Sequence, residues 1–284
     1  MSSNTDSELD TETSSNSFLG DLGPPIRRYP YKGTRNLRET VEMELSRQQE
    51  ENEASEWVLF TGVNKQTFSR DFLNSDDRYL ERCWNSYDSS QHLLLVIMTF
   101  SRAHEVATHV FERILLFSID PMGLVNCLRS FGSATCKAEN GSAKQPDCQF
   151  LPKRLPRART NQWPSVVVET AFSESPSKLI SDGRFWLRES NGDVQVVITI
   201  KIGRSSPEIV LESWGLVNDR PKRQQVVTIS KGKNNNVYIR GQPLTIRFDQ
   251  LFLRPSSISK EGNINFGQTP LMELAENVWE EQGF

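Results

Sequence analysis

Cysteine and histidine are scarce in this chain. Four cysteines (Cys83, Cys127, Cys136, Cys148) and three histidines (His92, His104, His109) occur in 284 residues. No two cysteines have the C-x-x-C spacing of a zinc knuckle, so a structural zinc site is not expected. No histidine is matched with a serine or cysteine in a nucleophile elbow, and neither a P-loop nor a dinucleotide-binding glycine pattern occurs. Long apolar runs are missing as well. The longest, Leu93 to Phe100, is far shorter than the roughly 20 residues that cross a bilayer. The N-terminus has neither the basic nor the apolar region of a signal peptide. The expected setting is therefore intracellular, cytoplasm or nucleus, without a membrane partner. No internal repeat is visible.

The charge that is present is unevenly placed. Residues 1–56 carry twelve acids and six bases, whereas residues 57–284 carry 24 acids and 27 bases. The second part is mildly basic, which permits a polyanionic partner. Residues 1 to 25 have the polar, acidic composition of a disordered tail, and 36–55 read either as a peripheral helix or as more tail. The expected organisation is an acidic, largely disordered region over 1–56, a compact domain over 57–255, and a C-terminal tail over 256–284 with a short helix around Leu271–Trp279.

Inside that domain, His92–Phe100 reads as a buried strand followed by a Ser101 cap. Residues 102–117 then show helical spacing in Val106, Val110 and Ile114. A second helix is expected at 122–131, a short strand at 147–151, a strand at 165–171 and a helix over 176–189 that ends at Asn191-Gly192. Val194–Ile202 and Glu208–Trp214 read as a hairpin, with further strands at 225–229 and 237–240. This order gives an α/β (or α+β) fold with one mixed sheet.

Two carboxylates stand where strand-like runs meet turn signals: Asp147 in Gln145-Pro146-Asp147-Cys148-Gln149-Phe150, and Glu169 in Trp163-Pro164-Ser165-Val166-Val167-Val168-Glu169. On neighbouring strands they would form a hard-oxygen site for a divalent cation; taken singly, each reads equally as a solvated turn or strand-end acid. Glu105 falls in the first turn of its helix, where acids are favoured whatever the chemistry. The bases Lys153, Arg154, Arg157 and Arg159, and the group Arg220, Lys222 and Arg223, read either as solvated loops or as a track for a phosphate backbone. Trp163, Trp186 and Trp214 read as packing residues.

Taken with Met98-Thr99-Phe100-Ser101-Arg102-Ala103-His104-Glu105 and with Ser173-Glu174-Ser175, these stretches resemble the PD-(D/E)XK nuclease superfamily, in its restriction-endonuclease-like branch. Uncharacterised fungal proteins share a similar pattern. The resemblance spans residues 92–215. It implies a restriction-endonuclease-like core, with a central mixed sheet flanked by helices. It implies a nuclease that hydrolyses DNA with Mg²⁺ or Mn²⁺ held by Glu105, Asp147 and Glu169. One departure separates the chain from that pattern. The lysine that should follow Glu169 by two positions is Ala171, and the alternative position on the next helix, one turn before Trp186, is Asp182. Lys178 is the expected replacement, with Arg184 and Lys201 as further candidates. The competing expectation is a protein that keeps the fold, has lost catalysis, and binds nucleic acid or another protein.

Overall fold

The structure, a computed structural model, describes residues 17–50, 55–99, 101–172 and 176–284. Phe100 and Ser173-Glu174-Ser175, which belong to the stretches quoted above, lie outside the described residues, as do residues 1–16. In chain order the elements are β1 (Arg27–Pro30), α1 (Thr34–Glu50), β2 (Trp57–Thr61), α2 (Lys65–Phe68), α3 (Arg78–Cys83), β3 (Trp84–Asp88), β4 (Leu93–Ile97) and α4 (Arg102–Ile119). Next come β5 (Leu128–Ser130), β6 (Cys136–Lys137), β7 (Ala143–Lys144), β8 (Cys148–Pro152), β9 (Val166–Phe172), α5 (Pro176–Arg184) and β10 (Val196–Ile202). The chain ends with β11 (Glu208–Val217), β12 (Arg220–Lys231), β13 (Val237–Arg240), β14 (Leu244–Ile246), α6 (Phe248–Phe252), β15 (Ile264–Phe266) and α7 (Gln268–Gln282).

The strands form two large mixed sheets where the sequence suggested one. A six-stranded sheet has the order β1-β2-β4-β3-β7-β6, and a seven-stranded sheet the order β13-β12-β11-β10-β9-β8-β5. Each contains one parallel pair, β1 with β2 and β9 with β10, among antiparallel neighbours. The period of two along each strand explains how the sheets stack. In β2, Val58 and Phe60 face an outer core with Leu37 and Val41 of α1, while Trp57 and Leu59 face inward. In β9, Val166 and Val168 face the core beneath α4 and α7, while Val167 faces inward. The two inward faces share one middle layer, into which α5 and its π-helical continuation Phe185–Glu189 send Phe185, Trp186 and Leu187. The result is four layers, helices–sheet–sheet–helices, in an α/β architecture.

The packed unit is larger at both ends than expected. Residues 17–26 supply Phe18, Leu19, Leu22 and Ile26 to the middle layer, and β1 and α1 complete the first sheet and its cover. At the other end α7 is not a tail appendage, because Leu271, Leu274, Ala275, Val278 and Trp279 are buried in the core under α4. The helix expected at 122–131 is also absent. Pro121 and a left-handed Gly123 (φ 74°) stop regular helix, and the chain makes two 3₁₀ turns before entering β5. By contrast α4 begins at its predicted cap, with Ser101 Oγ accepting from the His104 N–H at 3.1 Å.

Candidate functional site

The register of β8 against β9 pairs Cys148 with Val168, which places Asp147 beside Glu169 at the mouth of the strand pair. Alternation then sends the side chains of β9 in opposite directions. Thr170 turns to α4, where its hydroxyl lies 2.9 Å from that of Thr108. Glu169 turns the other way, between the two sheets, and is only 2% exposed.

There Glu169 meets a closed set of polar partners. Trp186 Nε1 donates to Glu169 Oε1 at 2.5 Å, and Lys144 Nζ lies 3.3 Å from the same oxygen. Lys144 comes from β7 of the other sheet and is 0% exposed. It also lies 2.9 Å from Asp182 Oδ1 and donates to Asn85 Oδ1 at 2.8 Å and Ser86 Oγ at 3.2 Å. Asp182, on α5, takes a second ammonium through Oδ2, from Lys178 at 2.6 Å. Lys178 Nζ also sits 4.4 Å over the Trp57 ring. Burial pushes the Glu169 carboxyl up to about 8, with Asp182 and Asp147 adding to the rise and Lys144 opposing it.

A second group lies outside this interior set, at the start of α4. His104 Nε2 is 3.2 Å from Asp147 Oδ2, which also accepts from the Thr170 N–H at 2.6 Å. Burial works against both charges. Their mutual attraction nevertheless holds the Asp147 carboxyl below the usual range and lifts the His104 imidazole to about 11, helped by Glu105. Glu105 is half-exposed, 3.6 Å from His104 and 3.7 Å from His109. Its carboxyl is lowered chiefly by its contact with His104. Glu56, buried at the start of β2 and 3.5 Å from Arg204, is pushed up to about 7 by burial.

The four predicted site residues are thus split. Glu105 and Asp147 share the buried His104, with Glu105 alone half-exposed, whereas Glu169 and Lys178 are built into the interior. Among the described residues no group of three or more His, Cys, Asp or Glu side chains is arranged to hold a metal ion. As arranged, the expected ligands do not fit a divalent ion: Asp147 is engaged by an imidazole and a backbone N–H, and Glu169 by an ammonium and an indole. Lys144 is the residue that sequence reasoning missed. It stands three positions before Asp147, but its role depends on partners 58 and 59 residues earlier and on β9 and α5 downstream. The further candidates are placed elsewhere: Arg184 bonds Asp21 at 2.9 Å, and Lys201 lies on β10 paired across from Ala171.

Of the basic groups, Arg159 is structural. Its guanidinium donates to the carbonyls of Thr160, Trp163, Pro164 and Asp193 and pairs with the Asp193 carboxylate at 2.9 Å. Lys153, Arg154 and Arg157 are exposed and follow the far end of β8 from Asp147. Arg223 pairs with Glu212 at 2.8 Å. No described helix is long and apolar enough to cross a membrane.

No family model matches the chain, and no curated protein matches it. Among solved structures it is similar to a crystal structure from Anabaena variabilis ATCC 29413, described as that of a candidate nuclease belonging to DUF820. The identity is 11% and the TM-score 0.39, over 78% of this chain and 99% of that one. The similarity is distant, and the expected likeness to fungal proteins finds no support in it.

Proposed function

We propose that this chain is a restriction-endonuclease-like protein that binds DNA without hydrolysing it. One observation carries the reading: Glu169, the acid a metal-dependent reaction would need beside the scissile phosphate, is 2% exposed and held by Trp186 and Lys144. A carboxylate that reaches neither solvent nor substrate cannot orient a nucleophile. The exposed bases Lys153, Arg154 and Arg157 support the same reading. They lie at the opposite end of β8 from Asp147, so a phosphate backbone tracking them would not lie over the acids.

A second reading, a Mg²⁺- or Mn²⁺-dependent nuclease using Glu105, Asp147 and Glu169 with Lys178 as the basic partner, is favoured by one feature. Glu105, which is half-exposed, and Asp147 converge on His104.

One assay separates the two. Supercoiled and single-stranded DNA are incubated with wild type, Asp147→Ala and Glu169→Ala in Mn²⁺, and binding is measured in parallel. The expected outcome is salt-sensitive binding by wild type and Asp147→Ala alike, with no cleavage. Cleavage by wild type that both substitutions abolish would overturn the proposal in favour of the nuclease. Absence of DNA binding at low salt would overturn it as well, leaving a protein partner for the fold.

A further inference from the structure

The interior set around Lys144 has the form of a cation site. Four oxygens surround Nζ: Asn85 Oδ1 at 2.8 Å, Asp182 Oδ1 at 2.9 Å, Ser86 Oγ at 3.2 Å and Glu169 Oε1 at 3.3 Å. They come from β3, α5 and β9, so both sheets and the middle layer contribute. All four residues and Lys144 itself are buried. Hard oxygen donors, two of them from the side chains of acids, are what an alkaline-earth ion selects. Among the described residues Asp182 Oδ1 has no hydrogen-bond partner beyond its ionic contact with Lys144, so the acid is aimed at the charge that stands at the centre.

We infer that the Lys144 ammonium is the resident cation of this oxygen cage, and that the cage takes a calcium-sized cation once the ammonium is removed. Size decides the class of ion. The donors stand 2.8 to 3.3 Å from Nζ. Calcium, with ligands at roughly 2.3–2.6 Å and tolerant geometry, needs a modest contraction of the cage. Magnesium, at roughly 2.0–2.1 Å in a strict octahedron, needs a larger one. Lys144 also explains Asp182. An acid at the position where the resembled family places a lysine is matched by a lysine arriving from the opposite sheet. Lys178 balances the second oxygen of Asp182 and remains when Lys144 is truncated.

The inference shares Glu169 with the non-cleaving reading, and the two fail separately. DNA cleavage by wild type overturns that reading, whereas the cage is tested by cation binding alone. Trp186 provides the readout, since its ring lies 6.0 Å from Lys144 Nζ, close enough to sensitise luminescence from Tb³⁺, a calcium mimic.

Lys144→Ala opens the cage, Lys144→Met fills it without charge, and Lys144→Ala/Asp182→Asn removes a ligand. Each is refolded in the presence and absence of Ca²⁺ and titrated with Tb³⁺. Lys144→Ala is expected to show sensitised Tb³⁺ luminescence that Ca²⁺ competes away and Mg²⁺ does not, with a rise of a few degrees in Tm on Ca²⁺ addition. Wild type, Lys144→Met and the double variant are expected to lack that signal. Recovery of a folded Lys144→Ala only when Ca²⁺ is present supports the same conclusion. A folded Lys144→Ala with no more luminescence than Lys144→Met would overturn it, as would a variant that fails to fold both with and without Ca²⁺.

Discussion

At the scale of single residues, Glu169 couples the fold to pH. Its carboxyl sits near 8, raised by burial from an ordinary 4.5. Between those values the folded chain holds a proton that the unfolded chain has released, so stability falls as pH rises through the window and levels off above it. Glu56, raised to about 7 by burial, acts in the same sense over a narrower span. His104, lifted to about 11 by Asp147 and Glu105 against its burial, extends the fall above its ordinary 6.5. Asp147 has the opposite sign and costs stability only on the acid side. Replacing Glu169 with glutamine keeps an acceptor for Trp186 and removes the proton. Urea unfolding from about pH 5 to about pH 8 should then lose roughly half of its slope, a change on the order of a few kcal/mol, with Glu56 and His104 supplying the remainder. An unaltered slope would show that Glu169 is ionised in the fold. The acids themselves are legible in sequence, because each ends or begins a β-branched or apolar run beside a proline. Lys144 is not, since a two-residue strand has no period to read and its partners are far away in the chain.

At the scale of elements, α4, β9, α5 and the β10–β11 hairpin are legible. Cap residues, long β-branched runs and turn signals fix them locally. The number of sheets is not, because nothing in a strand's own pattern says whether its neighbour belongs to the same sheet. Residues 17–26 are the largest surprise. Polar residues surround Phe18, Leu19 and Leu22, so composition alone suggests a tail. In the structure Asp88 Oδ2 accepts from Ser17 Oγ at 2.8 Å and from the Phe18 N–H at 3.1 Å, while Phe18 packs on Phe185 with ring centroids 4.8 Å apart. Three short apolar anchors are enough once a buried carboxylate satisfies the backbone between them. Leu19, fully buried, makes the test: Leu19→Ala should cost about 2–5 kcal/mol in urea unfolding. A cost within error of zero would mean that the segment is a detachable tail.

At the scale of the whole molecule, the middle layer joins the two sheets into one unit. It holds Trp57, Trp163, Trp186 and Trp214, while Trp84 lies in the outer core under α1 and Trp279 in the core under α4. The six tryptophans therefore report on all three hydrophobic layers. Single-tryptophan variants should unfold with coincident midpoints in urea, as expected of one cooperative system. A separate, earlier transition for the Trp84 reporter would show that the first sheet and its helices form an independent unit. The same layering explains why function is harder to read than fold. Four acids and bases that look dispersed in sequence are drawn to one interior point by two sheets meeting face to face.

The docking of residues 17–22 also sets an order in time. Phe18 O accepts from Ser181 Oγ, 163 residues further along the chain. At roughly 5–20 residues per second, about 8–30 s of synthesis separate the appearance of this segment from that of its partner. Through that interval the part of its packing that α5 and Phe185 supply does not yet exist. In a nascent chain Phe18, Leu19 and Leu22 can therefore meet the first sheet well before the helix that closes over them has been made.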